Sequence, residues 1–244
     1  MKAAIAYPPI ASDKGVPLLS QNRQFQWFRR PTYIYPVVPA QAATLAQRAG
    51  HSIAWLDGIA EEWTEDEFIA RLTAAAPDVV MIETKTPVIK SCWQWVDRLK
   101  ERMPATRFAL VGDHVTALPR ESMEKSRADY VLTGGDYDFL LLGLLNHLAS
   151  GSPLESGIWH RKDGRIGNTG EFACKHDLRT LPWIDRDLTR WKLYSVMNGN
   201  FKRVPGTYIM SGRDCWHGKC TFCSWTTLYP NYRTREPGDV LDEI

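Results

Sequence analysis

Between residue 1 and about residue 150, short runs of apolar and β-branched residues alternate with longer stretches in which apolar positions recur at helical spacing. That alternation predicts βαβ units around a parallel sheet. The expected strands are Lys2–Tyr7, Ser52–Leu56, Asp78–Ile82, Arg107–Gly112 and Tyr130–Thr133. Each is short and almost continuously apolar, as a strand covered on both faces has to be. Between them, Val37–Ala49 stops at Gly50, a residue suited to the position after a helix, and Thr64–Ala76 opens with Thr64 and Glu67, the spacing of a capping box. In Pro87–Met103 the residues Cys92, Trp95, Val96, Leu99 and Met103 share one face, with Thr86 as N-cap and Pro87 at the first helical position. Cys92 therefore reads as a core residue. Helices at about 118–127 and 136–149 complete the pattern. The expected fold class is α/β: a doubly wound, flavodoxin- or Rossmann-like parallel sheet of strand order 2-1-3-4-5, spanning residues 1–150.

The pattern changes after Ser150-Gly151-Ser152-Pro153, and 151–204 reads as a linker holding a β-hairpin. Gly157–Arg161 and Arg165–Thr169 flank Lys162-Asp163-Gly164, where glycine supplies the positive φ of a tight turn. Thr207–Met210 is apolar and β-prone and is expected to be a strand opening a second domain over 205–244. Pro237-Gly238-Asp239 then leads into Val240–Ile244 as a first helical turn.

Composition narrows the function classes. With 44% hydrophobic and 24% charged residues the chain is an ordinary globular protein, and a formal charge of +2 spread along the sequence leaves no nucleic-acid footprint. The apolar run Ala3–Tyr7 is too short for a signal peptide, and Phe139–Leu145 falls far below the ~18 residues of a bilayer span. The expectation is a cytoplasmic protein with no membrane partner. Five cysteines, an odd number with three clustered, fit metal-binding thiolates better than a disulfide framework.

That cluster lies in "RDCWHGKCTFCSW", residues 213–225, where Cys215, Cys220 and Cys223 are spaced C-x4-C-x2-C. Three thiolates on one tight loop can bind three irons of a cubane cluster and leave the fourth iron open. A structural zinc site would instead close its shell with a fourth ligand, here His217 or His176. Gly218 lets the loop turn inside the ring of sulfurs.

The loop resembles the cluster loop of the radical S-adenosylmethionine superfamily, whose usual spacing is C-x3-C-x2-C with an aromatic residue before the last cysteine. "CTFCSW" matches its second half, while the first interval is one residue longer here. The resemblance implies a 4Fe–4S cluster on Cys215, Cys220 and Cys223. It also implies S-adenosylmethionine on the open iron with its adenine near Phe222, cleavage to a 5′-deoxyadenosyl radical, and an electron-donor protein as partner. It places the loop after the first strand of a partial (β/α)6 barrel, the position of Thr207–Met210. A whole barrel needs several more βα units than 205–244 supplies. The expectation is a fragment, or a chain completed by another polypeptide, that is inactive alone.

The loops after the N-terminal strands carry a second resemblance. They read Pro8-Pro9-Ile10, Glu83-Thr84-Lys85-Thr86, Gly112-Asp113-His114-Val115-Thr116 and Thr133-Gly134-Gly135-Asp136, and no G-x-G-x-x-G follows the first strand. "VGDHVTALP" is similar to the "GG-H-T-P" segment of the cobalamin-binding domain that precedes the barrel in one radical S-adenosylmethionine class, and "TGGDYDF" occupies the place of its "GEGE". Cobalamin is thus implied as a cofactor, with Thr84, Lys85, Gly112, His114, Thr116, Gly134 and Gly135 as its contacts. The first loop has no histidine, so the implied state is base-off with none on cobalt. Methyl transfer is one reaction this class performs, on a small-molecule substrate. The alternative is a cobalamin- or ligand-binding sensor whose cysteine loop holds structural zinc.

Other conspicuous residues have local explanations. Glu83 and Lys85 are expected to be solvated at a strand end, Asp185-Arg186-Asp187 to form a salt bridge among themselves, and Cys174 and His176 to be structural. "QFQWF" with Arg29-Arg30 is expected to dock on the second domain.

Overall fold

The computed structural model describes residues 1–17, 25–213, 215–223 and 225–244. Seven strands form one sheet: β1 (Lys2–Tyr7), β2 (Ser52–Asp57), β3 (Val79–Thr84), β4 (Arg107–Gly112), β5 (Tyr130–Leu132), β6 (Ile158–Lys162) and β7 (Arg165–Asn168). Their order is β2-β1-β3-β4-β5-β6-β7. The first five are parallel and take the expected 2-1-3-4-5 arrangement. β3 is buried at every position, which its unbroken apolar run requires.

Helices cover both faces. α1 (Val37–Arg48) and α6 (Tyr137–Ser150) pack on one side with Ile5, Met81, Val111 and Leu132. α2 (Glu65–Ala75) and α3 (Ile89–Arg102) pack on the other with Val80, Ile82, Phe108 and Leu110. The Thr64 capping box forms as expected, with the Glu67 amide donating to Thr64 Oγ1 at 3.3 Å and the Thr64 amide to Glu67 Oε2 at 2.8 Å. Gly50, at φ +88°, ends α1 as expected. Cys92 is fully buried in the core, and burial pushes its thiol up to about 12.

Several expectations are corrected. β3 runs on through Glu83 and Thr84, which pair with Val111 and Gly112, so these two residues belong to the strand and not to the loop after it. Thr86 starts a short 3-10 turn and gives α3 no side-chain cap. The stretch after β4 forms two short helices, α4 (Asp113–Ala117) and α5 (Pro119–Lys125). Pro119 divides them, because it has no N–H to carry the first helix onward. The hairpin of the expected linker is β6–β7, and it joins the sheet by antiparallel pairing of Val131 with Trp159.

Thr207–Met210 is not a strand. Its carbonyls go to arginines: Tyr208 O accepts from Arg186 at 3.2 Å and Met210 O from Arg235 at 3.2 Å. Residues 205–244 instead contain a two-residue antiparallel ladder, Gly212–Arg213 with Arg233–Thr234, and the helices α7 (Trp225–Leu228) and α8 (Pro237–Glu243). Arg186 turns away from Asp185 and Asp187 and pairs with Glu243 at 3.3 Å. Of "QFQWF", Gln24 lies outside the described residues. Trp27–Phe28 ladders with Val16–Pro17, and Phe25 and Trp27 pack against the α1 side of the core. Among the described residues no helix is long and apolar enough to cross a membrane.

Phe68 is fully buried and meets the Trp95 ring edge-on at 5.4 Å between centroids. Phe68→Ala removes that contact and leaves a cavity, so urea titration is expected to show a loss of about 3–5 kcal/mol in unfolding free energy with an unchanged slope.

Candidate cofactor edge and cysteine loop

In an open parallel sheet the carboxyl ends of the strands, at the switch in strand order, form the natural binding edge. Here that switch falls between β1 and β3. Tyr7 ends β1 and donates its hydroxyl to Glu83 Oε2 at 2.6 Å, while Tyr137 from α6 reaches Oε1 at 3.5 Å. Glu83 is only 2% exposed and Lys85 6%, so neither is solvated, contrary to expectation. Burial pushes the Glu83 carboxyl up to about 7, against the opposing pull of Lys85 and the Tyr7 hydroxyl. Lys85 Nζ pairs with Asp113 at 3.3 Å. A second buried carboxylate, Asp57 at the end of β2, accepts from Tyr194 at 2.6 Å and from the amides of Ile59 and Ala60. Burial pushes Asp57 up to about 6, with those hydrogen bonds restraining the rise.

The candidate cofactor contacts lie along this edge, and most have partners within the chain. Thr84 is fully buried and gives its hydroxyl to Val111 O at 2.8 Å. Gly112, at φ +115°, has no room for a side chain, because a Cβ there would lie 2.3 Å from Thr84 O. His114 is buried in α4 with Nδ1 3.2 Å from Thr86 Oγ1. Its Nε2 stands 3.3 Å from Glu121 without an aligned hydrogen bond. Thr116 ties two loops together, donating to Gly112 O at 2.7 Å and accepting from the Gly134 amide at 2.9 Å.

The glycine pair is covered. A Cβ at Gly134 would fall 2.3 Å from the Phe172 ring, and one at Gly135 would fall 1.9 Å from the Tyr229 ring. Space opens instead on the β1–β2 side, in a mostly apolar groove of about 440 Å³ lined by Pro9, Ile10, Pro17, Tyr33, Ile59 and Trp63.

Cys215, Cys220 and Cys223 are half-buried on one loop and form no disulfide. The Cys223 amide donates to Cys220 O at 3.2 Å, and Gly218 takes φ +57°, the left-handed turn its position suggests. Trp216 is 81% exposed and Phe222 90%, so the loop presents flat apolar surface. Asp214 and Ser224, beside the cysteines, lie outside the described residues. Among the described residues no three His, Cys, Asp or Glu side chains converge in a metal-holding group. By donor chemistry, three thiolates on one loop suit an iron–sulfur cluster.

The loop is fastened at its base. Arg213, 1% exposed, donates to Asp136 at 3.0 Å, to Asp138 at 2.9 and 2.5 Å, and to Gln41 at 2.6 Å. Arg233 donates to both Asp136 oxygens, at 2.7 and 2.8 Å, and to His176 O at 2.9 Å. The His176 ring sits between Asp136 and Glu155, at 3.1 and 3.0 Å, stacked on Phe139 at 4.3 Å. Burial alone would raise the Asp136 carboxyl, but hydrogen bonds from His176 and Arg233 and the charge of Arg213 hold it well below the usual range. Burial would likewise lower His176, and its two carboxylate partners raise it. Sequence reasoning missed this cluster. The signal available was Asp136 and Asp138 set into the apolar run of "TGGDYDFLLL", together with an arginine two residues before Cys215.

Known proteins resemble this chain in sequence and in fold. Residues 31–139 match the family model described as B12 binding domain. The chain is 26% identical over 217 residues to an anaerobic magnesium-protoporphyrin IX monomethyl ester cyclase of Rubrivivax gelatinosus, covering 84% of this chain and 38% of that protein. It is 23% identical over 201 residues to an uncharacterized methyltransferase of Pyrococcus horikoshii, covering 81% of this chain and 42% of that one. Its fold is similar to that of the radical S-adenosylmethionine methyltransferase TsrM from Kitasatospora setae, solved with cobalamin and a [4Fe–4S] cluster. That match has a TM-score of 0.64 at 13% identity, over 99% of this chain and 44% of that chain. It is similar as well to the cobalamin-dependent S-adenosylmethionine radical enzyme OxsB, solved with aqua-cobalamin and S-adenosylmethionine. There the TM-score is 0.73 at 13% identity, over 100% of this chain and 31% of that chain. The chain thus spans less than half the length of each of these relatives.

The raised Glu83 carboxyl makes stability depend on pH. A carboxyl whose folded pKa lies above its unfolded value stabilises the fold at low pH, and the contribution is lost as pH rises from about 4.5 through about 7. Glu83→Gln is expected to flatten that slope by on the order of 2–3 kcal/mol between pH 5 and pH 8, read by urea titration at each pH.

Proposed function

We propose that this chain carries the cobalamin-binding domain and the cluster loop of a cobalamin-dependent radical S-adenosylmethionine enzyme, with methyl transfer as its reaction. The observation that carries the reading is a loop with three cysteines outside any disulfide, Cys215, Cys220 and Cys223, fastened by Arg213 and Arg233 to the start of α6. That helix start adjoins the carboxyl edge of a sheet whose residues 31–139 match the B12 binding domain. Cys215, Cys220 and Cys223 would hold a 4Fe–4S cluster, which would supply the electron for cleavage of S-adenosylmethionine. The chain's own part is to hold and orient. Phe222, exposed beside the last thiol, offers a flat apolar face for an adenine, and the exposed loop leaves access for an electron-donor protein.

For cobalamin, the tips Lys85, His114 and Thr116 and the groove on the β1–β2 side supply polar atoms and apolar room. Contact with the backbone of Gly134 and Gly135 requires Phe172 and Tyr229 to move. The zinc alternative loses one of its two candidate fourth ligands, because both His176 ring nitrogens face carboxylates, which leaves it His217 inside the first cysteine interval.

Anaerobic reconstitution tests the reading directly. The protein is expected to turn brown and hold about four irons per chain. It is also expected to shift the visible spectrum of added hydroxocobalamin saturably, and Cys220→Ala is expected to lose the iron while keeping the cobalamin shift. A colourless protein with a single zinc, or no cobalamin shift, would overturn it.

A further inference from the structure

We propose that Asp136 is the positioning residue that registers the cysteine loop against the cobalamin-binding domain, an inference that rests on the functional reading above. Arg213 and Arg233 are direct cross-strand partners in the two-residue ladder that closes the base of the loop. Like charges set opposite each other in a ladder repel. Among the described residues one carboxylate accepts from both: Asp136 Oδ1 accepts from Arg213 at 3.0 Å and from Arg233 at 2.8 Å, and Oδ2 accepts from Arg233 at 2.7 Å.

Asp138 cannot take over this task. It pairs with Arg213, and no hydrogen bond joins it to Arg233 among the described residues. Asp136 is also fixed from the sheet side. It immediately precedes α6, and the Gly135 amide beside it donates to Leu228 O of α7 at 2.9 Å. The carboxylate therefore joins the strand entering the loop, the strand leaving it and the end of the β5 edge. Neutralising it weakens the bridge that joins the two arginines and loosens the ladder on which the three cysteines stand.

The test compares wild-type protein with Asp136→Asn and Arg233→Lys. In metal-free protein, amide hydrogen exchange at residues 212–213 and 233–235 is expected to rise at least about tenfold in both variants, while β1 and β3 stay protected. In anaerobic protein loaded with iron and cobalamin, reducing the cluster is expected to broaden the paramagnetic signal of cob(II)alamin in the wild type. The variants should lose that broadening while keeping wild-type iron and cobalamin contents, a change that general weakening of the fold would not produce. Asp136→Glu should restore part of it. Unchanged exchange and unchanged broadening in a folded variant would overturn the inference. If Asp136→Asn does not fold, Arg233→Lys decides, since an amine cannot span both carboxylate oxygens. A wild type that takes up neither cofactor defeats the functional reading alone, and the exchange measurement still judges the role of Asp136.

Discussion

The guanidinium of Arg213 is the largest fully buried side chain in the described structure, and its burial is the constraint around which the second half of the chain is arranged. Removing such an ion from water costs several kcal/mol unless its charge is paired. Asp136, Asp138 and Gln41 take both terminal nitrogens, while the buried Nε has no hydrogen-bond partner among the described residues. Two of these acceptors stand at the start of α6, where the helix dipole already favours negative charge. The charges that suit the helix terminus therefore also hold the cysteine loop. The cysteine region and the α/β domain consequently meet through specific ion pairs as well as apolar packing.

The same edge holds carboxylates under two opposite regimes. Asp136 faces two arginines and a histidine and stays ionised. Glu83 and Asp57 are buried mainly among hydroxyl and amide donors, and desolvation drives both towards neutrality near physiological pH. The β5–α6 end of the edge is thus a fixed charge network built for docking. At the β1–β3 end burial instead raises the Glu83 carboxyl, whose oxygens are taken by the Tyr7 and Tyr137 hydroxyls.

The parallel sheet was legible because its signals are local and periodic. Continuous apolar runs gave β1 to β5, and the Thr64–Glu67 box and Gly50 marked helix ends that the structure confirms. Thr207–Met210 misled for the opposite reason: its β propensity is local, but its carbonyls are captured by Arg186 and Arg235, which are remote in sequence. Glu83 and Lys85 looked solvated because a charged pair after an apolar strand usually is. Their burial follows from Tyr7, Tyr137 and Asp113, which only the folded sheet brings to them. The Arg213 cluster was hidden in the same way, since its acceptors lie on α1 and α6, 75 or more residues away in sequence.

Gly134 and Gly135 show why small residues at a sheet edge admit two explanations. A missing side chain lets any flat group approach the backbone, whether a ligand or a ring of the same chain. Here Phe172 and Tyr229 take those places from opposite ends of the second half, one following the β7 strand and the other following α7. Each ring covers a position where an added methyl group would overlap it, so the fit is selective for glycine. Tyr229 is buried, and α7, which it directly follows, begins two residues after Cys223. The seating of the cysteine loop and the closure of the β5 end are therefore one packing event. A ligand reaches the backbone of Gly134 and Gly135 only if that packing is undone.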